Sequence, residues 1–169
     1  MEIISKFTVG SDQGVNDYFA VEEPSFIALH QEFATAEVLE RYMEDHFDHR
    51  QKINDLNDLS TQLIIAYENE KPLGYSILKS GSVHPLHPEK RATQISFAVL
   101  PEYRSSEVAE SLLKKTIQAS SFTDMIWINI LKHDPLVAFF EKSGFEILQD
   151  TTAEPFSLPC YLMSFVKIK

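Results

Sequence analysis

The segment with the clearest chemical content is residues 95–104, ISFAVLPEYR, where an apolar run ends in a PEYR turn. Residues from about 106 to 119 then have the spacing of an amphipathic helix. A strand that leads into a helix N-terminus leaves backbone N–H groups without partners and directs the positive end of the helix dipole at one place. Such a junction favours phosphate binding. Glu107 opposes it, because a carboxylate stands where a phosphate would need close approach to the backbone.

His84 and His87 form an H-x-x-H pair, a spacing that can ligate a metal ion. Two prolines surround the pair, and no cysteine or acidic motif accompanies it. We therefore predict a surface loop here and no metal site.

Four further residues carry weaker chemical signals. His46 and His49 are predicted to end an acidic helix, where the helix C-terminus stabilises an imidazolium. Tyr103 and Tyr161 are proton-donor candidates whose positions cannot be read from the sequence. The sequence contains no nucleophile elbow, P-loop or zinc-protease motif.

The size and composition favour one domain over residues 1–169. The chain is 44% hydrophobic and 24% charged, which suits a single well-packed core. No apolar run is long enough to span a bilayer, and the start, MEIISK, lacks the pattern of a signal peptide. We expect a soluble cytoplasmic protein with no membrane partner. The single Cys160 allows no internal disulfide and is expected to be a packing residue.

The acidity of the chain is concentrated in residues 11–70, which hold 14 Asp and Glu against 3 Lys and Arg. The rest of the chain is nearly neutral, with 11 acids and 12 bases. Such a surface argues against nucleic acid as a partner and would attract a cationic small molecule or a basic peptide. A solvated acidic face that only maintains solubility is the alternative.

The periodicity predicts a mixed α/β succession without internal repeats. A strand near 2–9 precedes two helices, one marked by Phe26, Leu29 and Phe33 and the other by residues 38–47, and a short helical piece at 53–59. Two runs, 61–67 and 73–78, read as a hairpin. The remaining elements are predicted as strands 92–100, 125–131, 145–148 and 160–168, a helix at 106–119, and a helix with Asp134 as N-cap, Pro135 as its first residue and Gly144 as its end.

Three stretches resemble the GNAT family of N-acetyltransferases. Residues 97–113 resemble its strand, turn and pyrophosphate loop, residues 127–145 resemble its second motif, and residues 72–75 resemble the hairpin segment before them. The resemblance implies a mixed, splayed sheet with an acetyl-CoA cleft at the junction of the fourth strand and the following helix. Residues 24–169 also resemble the bacterial polyamine (spermidine/spermine) acetyltransferase branch.

The resemblance also implies positions for cofactor binding. Three strand residues would expose backbone to the pantetheine arm: Phe97, Ala98 and Val99. A second group would present backbone N–H groups to the pyrophosphate: Arg104, Ser105, Ser106, Glu107, Val108 and Ala109. His133 stands where many relatives carry an asparagine that contacts the cofactor.

Two further departures from the family pattern bear on catalysis. Glu107 replaces the central glycine of the loop, and Phe140 stands where relatives often have a tyrosine that protonates the leaving thiolate. The general base and acid are left unassigned. The implied function is acetyl transfer from acetyl-CoA to a primary amine of a small cationic acceptor, with no metal and with a homodimer allowed. The alternative is a GNAT-like ligand-binding or partner-binding module without catalysis.

Overall fold

The computed structural model describes residues 2–104 and 107–167, which form one seven-stranded sheet and five α-helices. The strands are β1 (Ile4–Thr8), β2 (Thr61–Glu68), β3 (Lys71–Lys79), β4 (Ala92–Val99), β5 (Met125–Leu131), β6 (Glu146–Ala153) and β7 (Leu158–Val166). The helices are α1 (Asp12–His30), α2 (Ala36–His46), α3 (His49–Leu56), α4 (Glu107–Ala119) and α5 (Leu136–Lys142). Along the sheet the strand order is β1-β2-β3-β4-β5-β7-β6. The predicted mixed α/β fold is confirmed.

Helix α1 begins at Asp12, well before the predicted helix, and ends at His30, so the prediction of a helical Phe33 was wrong. The side chain of Ser11 caps it by accepting a hydrogen bond from the Gly14 N–H. Val15 and Val21 on its buried face have no exposed surface. The helix therefore packs against the sheet over most of its length.

Two predictions about the short helices were wrong. Helix α3 ends at Leu56, and Leu59, predicted to be helical, is fully exposed. His49 does not end an acidic helix but begins α3, where its Nε2 lies 3.2 Å from Asp12 Oδ1. His46 does end α2, and its Nδ1 lies 3.0 Å from the Tyr42 carbonyl oxygen.

The helices cover both faces of the sheet. Adjacent residues of a strand point to opposite faces. On β3, the Tyr75 ring lies 4.7 Å from the Tyr18 ring of α1, whereas Ser76 Oγ accepts a hydrogen bond from Thr116 Oγ1 of α4 at 2.9 Å. Helices α1 and α4 therefore lie on opposite faces. Burial on both faces explains why β2 and β3 are continuous apolar runs.

The centre of the sheet opens between β4 and β5. Strand β4 pairs antiparallel with β3 as far as Gly74↔Val99. Its parallel pairing with β5 covers only Ala92↔Met125, Thr93↔Ile126 and Gln94↔Trp127. Strand β5 meanwhile stays paired with β7 along its whole length. The two strands diverge beyond Gln94 and Trp127, and we call the resulting gap the cleft.

The segment between β3 and β4 differs from the prediction at one histidine. His84 is fully buried, so its assignment to a surface loop was wrong. Its Nδ1 accepts hydrogen bonds from the N–H groups of Leu86 (3.0 Å) and His87 (3.2 Å). The proton must then be on Nε2, which donates to Ser164 Oγ at 2.7 Å. His84 is a neutral anchor that fixes this segment to β7.

The C-terminal elements follow the predicted order with shifted bounds. Strand β6 runs to Ala153, beyond the predicted end at residue 148. The N-cap of α5 is Pro135, one residue later than predicted, although the Asp134 side chain still accepts the Leu136 N–H at 2.9 Å at the start of the helix. Gly144 follows α5 with a φ of +100°, a conformation that favours glycine. Cys160 is buried, as expected for a packing residue. In the described part of the chain, no helix has the length and apolar character to cross a bilayer.

Candidate active site

The β4 edge of the cleft carries backbone groups that β3 does not use. In an antiparallel pair, successive residues alternate between facing the partner strand and facing away. The Leu100 N–H bonds the Leu73 carbonyl on the β3 side at 2.9 Å. By alternation, Ala98 also faces β3, whereas Phe97 and Val99 direct their N–H and carbonyl groups toward the cleft.

One of these groups is held by α1. Ser25 Oγ donates to the Val99 carbonyl oxygen at 3.3 Å, and Ser25 is only 2% exposed. The contact fixes the middle of α1 against the β4 edge. It also confirms that the Val99 carbonyl points away from β3.

Three aromatic rings close the α4 face of the cleft. Phe97 pairs with Ser76 and therefore points to that face. Its ring lies 5.1 Å from the Phe140 ring and 6.4 Å from the Phe139 ring of α5. Phe140 has no exposed surface, and Phe139 is partly buried. Phe140 is thus a core residue.

Helix α4 begins beside the same edge. Val108 and Ala109 are buried, and Glu107 is exposed at the first position of the helix. The predicted phosphate-loop residues Ser105 and Ser106 lie outside the described residues. The exposed position of Glu107 leaves its carboxylate in contact with solvent.

Two charged residues come together at the mouth of the cleft. Arg104 follows β4, and Asp134 follows β5. Burial raises the pKa of Asp134, while its bond from the Leu136 N–H and the positive charge of Arg104 act in the opposite direction. The ends of the two diverging strands are therefore electrostatically linked.

His133 links the segment after β5 to α1. Its Nε2 lies 2.7 Å from the Leu29 carbonyl oxygen and donates to it. The Phe33 ring lies 4.9 Å from its imidazole. His133 is exposed, so one ring nitrogen is left to face solvent or a ligand.

A group that the sequence did not single out lies on the α1 face of β3. The Tyr75 hydroxyl donates a hydrogen bond to Glu22 Oε2. Burial raises the pKa of Glu22 to about 7, although Tyr75 and the Lys52 ammonium both act to lower it. Burial also raises the pKa of Tyr75 well above its ordinary value, so its hydroxyl stays protonated. Glu22 can therefore exchange a proton near neutral pH.

Aromatic side chains of α1, α2 and the β6–β7 turn cluster near Glu22. Phe26 stacks on His30 at 4.2 Å and on Tyr42 at 5.2 Å, and Phe156 of the β6–β7 turn lies 6.1 Å from His30. Burial raises the pKa of Tyr42, and the carboxylates of Glu22 and Glu154 raise it further. Helices α1 and α2 and the β6–β7 turn thus bring acidic and aromatic side chains together near Glu22, and we call this region the acidic, aromatic recess.

A family comparison now identifies the arrangement. A sequence model described as the acetyltransferase (GNAT) family matches residues 24–145, well over half of the chain. The chain belongs to the GNAT acetyltransferase family. No curated protein matches it significantly in sequence.

Solved structures share the GNAT fold over nearly the whole chain at low identity. PaiA N-acetyltransferase from Thermoplasma acidophilum, in complex with coenzyme A, superposes with a TM-score of 0.76 at 14% identity, covering 99% of this chain and 100% of that one. The structure of yncA from Salmonella typhimurium with acetyl-CoA gives 0.72 at 12%, covering 100% and 96%. A spermidine N-acetyltransferase SpeG chimera from Vibrio cholerae and hSSAT gives 0.65 at 14%, covering 98% and 96%.

Two tyrosines considered as proton donors in this GNAT chain each lie beside a lysine. Lys71 Nζ is 5.4 Å from the Tyr103 ring centroid, and Lys132 Nζ is 5.0 Å from that of Tyr161. Their role as donors stays a prediction. Across residues 2–104 and 107–167, no group of three or more His, Cys, Asp or Glu side chains is placed to hold a metal ion.

Proposed function

We propose that this GNAT protein transfers the acetyl group of acetyl-CoA to a primary amine of a small cationic acceptor. The observation that carries the proposal is the divergence of β4 from β5 beyond Gln94 and Trp127. It leaves the cleft-facing backbone groups of Phe97 and the N–H of Val99 available to an amide-containing arm, while the Val99 carbonyl is held by Ser25. The complexes of related folds with coenzyme A and acetyl-CoA support the same assignment.

The residues along the cleft suit acetyl-CoA in chemical type. The backbone of Phe97 and Val99 would hold the pantetheine arm, since its amides need both donors and acceptors. Arg104 and the first N–H groups of α4, including those of Val108 and Ala109, would face the pyrophosphate. The exposed carboxylate of Glu107 can turn to solvent, which limits its repulsion of phosphate.

The proposed acceptor site is the acidic, aromatic recess between α1, α2 and the β6–β7 turn. The acidity of residues 11–70 would attract a cationic amine. The spermidine acetyltransferase among the similar structures supports a polyamine as one candidate acceptor.

The chain would contribute binding, orientation and proton transfer to the reaction. Acetyl-CoA supplies the activated thioester. An N–H on the cleft edge of β4 would stabilise negative charge on the thioester oxygen. Phe140 has no proton to donate, so the acid for the departing thiolate must be another residue or water.

The second candidate function is binding without catalysis. The fully buried Phe140 and the carboxylate of Glu107 both favour it, because each replaces a group that the family uses. This version keeps the cleft but accommodates a ligand other than acetyl-CoA, or a partner.

Calorimetric titration with acetyl-CoA distinguishes the two. We expect micromolar binding by the parent protein and tighter binding by Glu107→Gly, since the variant removes a carboxylate next to the pyrophosphate. Glu110→Gly makes the same replacement one turn later, at another exposed position, and controls for helix destabilisation. Release of coenzyme A is then measured with a panel of primary amines. Absence of acetyl-CoA binding would overturn the first function and favour the second, and binding without release by any amine would also contradict the first.

A further inference from the structure

We infer that Glu22 is the catalytic base, which removes a proton from the acceptor ammonium, and that Tyr75 is the positioning residue that holds its carboxylate. This inference rests on the proposed function. The sequence left the general base unassigned, and this inference places it on α1 with its positioning residue on β3.

The position of Glu22 relative to the cleft supports the assignment. Tyr75 pairs directly with Ala98, one residue before Val99 on the β4 edge. Glu22 and Ser25 are three residues apart on α1 and therefore share a face. Ser25 contacts the Val99 carbonyl at the end of β4, and Glu22 contacts Tyr75 on the neighbouring strand β3.

The side chain of Tyr42 also connects Glu22 with the opposite side of the cleft. Tyr42 of α2 interacts electrostatically with both Glu22 and Glu154. Glu154 belongs to the turn between β6 and β7, the strands that lie beyond β5. Tyr42 thus connects Glu22 with the β6–β7 turn, which lies on the far side of the cleft.

The groups packed around Glu22 set its protonation. Tyr75 of β3 donates to it, Lys52 of α3 contributes a positive charge, and Tyr42 of α2 faces it. Tyr18 of its own helix lies against Tyr75 and is affected by the Glu22 charge. Asp55 of α3 acts on Tyr18 and Lys52 rather than on Glu22 directly. Glu22 is partly exposed as a residue, while its carboxyl group lies in a buried environment that raises its pKa.

The proton balance of the step is complete. Glu22 takes one proton from the acceptor ammonium, and the neutral amine nitrogen forms a bond to the acetyl carbon as the carbon–sulfur bond breaks. The second nitrogen proton ends on the departing thiolate. Glu22 then returns its proton to water before the next turnover.

His30 is the rival base within the same recess. Its Nδ1 lies 2.7 Å from the Phe26 carbonyl and donates to it, which leaves Nε2 as a proton acceptor. Burial lowers the pKa of His30 below its ordinary value of 6.5. A reaction that used His30 would therefore lose activity only below about pH 6.5, whereas Glu22 predicts a loss that begins near neutral pH.

The test compares the pH dependence of kcat in the parent and in Glu22→Gln, with an amine found active in the panel. We expect the variant to lose about 100-fold in kcat near neutral pH and to lose the acidic limb of the profile. Glu23→Gln removes the same charge from the next, exposed residue of α1 and should keep the limb. Tyr75→Phe should move the limb to higher pH, because the Tyr75 hydroxyl lowers the pKa of Glu22.

Two measurements separate a base from a structural residue. Acetyl-CoA binding by Glu22→Gln should match that of the parent. Its thermal stability should be equal or higher at neutral pH, since the variant removes a carboxylate whose ionisation the folded state disfavours. An active parent with the same pH profile as Glu22→Gln would overturn the assignment and leave the proposed function standing. A parent that binds acetyl-CoA but acetylates no amine would overturn both.

Discussion

Gly74 on β3 lies directly under Leu112 of α4. A Cβ atom placed on Gly74 would come within 2.8 Å of Leu112 Cδ1 and 3.0 Å of the Ala98 carbonyl oxygen. Leu112 has no exposed surface. The absence of a side chain at residue 74 therefore sets how closely α4 approaches the strands beside the cleft.

We predict that Gly74→Ala destabilises the fold by about 1–3 kcal/mol, because the added methyl group overpacks a buried contact. It should also weaken acetyl-CoA binding, since α4 must move away from the β4 edge. Urea unfolding and calorimetry measure the two effects. Gly81→Ala is the matched control, because its Cβ would meet only Ser60 at an ordinary 3.5 Å. Equal stability of the two variants would contradict the proposed role of Gly74.

The sheet could be predicted from the sequence because its strands carry strong local signals. The hairpin of β2 and β3, and the succession of β4, α4 and β5, follow apolar runs separated by turns. The divergence of β4 from β5 was predicted only from the resemblance to the GNAT family. No local pattern near Gln94 indicates where two strands that are distant in sequence stop pairing.

Other features depended on tertiary contacts that no local pattern encodes. The first half of α1 was missed because buried residues such as Val15 and Val21 are mixed with Gly14 and Pro24, which weakens the helical pattern. Glu22 was one of 14 acids in its region and gave no separate signal. Its partner Tyr75 lies 53 residues away. A helical reading of residues 12–25 would have shown Glu22 next to the apolar face.

His133 offers a test of which ligand its side of the cleft contacts. Its Nε2 is already bonded to the Leu29 carbonyl at the end of α1. We predict that His133→Ala raises KM for the amine, because α1 loses an attachment beside the acceptor recess, and changes the Kd of acetyl-CoA by less than about twofold. Steady-state kinetics and calorimetry measure the two constants.

His133→Asn serves as the comparison, because its side-chain amide can still donate a hydrogen bond. It should retain more of the amine affinity than His133→Ala. A large increase in the Kd of acetyl-CoA for His133→Ala would instead favour the cofactor contact that the family resemblance implies.

The buried His84 predicts a pH-dependent stability. Burial, reinforced by the neighbouring His87 and opposed by Glu89, lowers the pKa of His84 below its ordinary value of 6.5. The folded state therefore favours the neutral ring, and its contribution is fully present above pH 6.5. Below pH 6.5 the unfolded chain binds the proton first, so this contribution decreases as the pH falls. The decrease stops once the pH is below the pKa of His84 in the folded state.

Replacement of His84 should remove both the anchor and its pH dependence. We predict that His84→Ala costs about 2–3 kcal/mol near neutral pH, because the Leu86 and His87 N–H groups and Ser164 lose their partner. The cost should shrink as the pH falls from about 7 to 5, since the parent loses the contribution that the variant never had. Urea unfolding across this range gives both quantities. His87→Ala, at the more exposed ring, is the control, and a cost for His84→Ala that is constant with pH would show that His84 is not held neutral in the folded state.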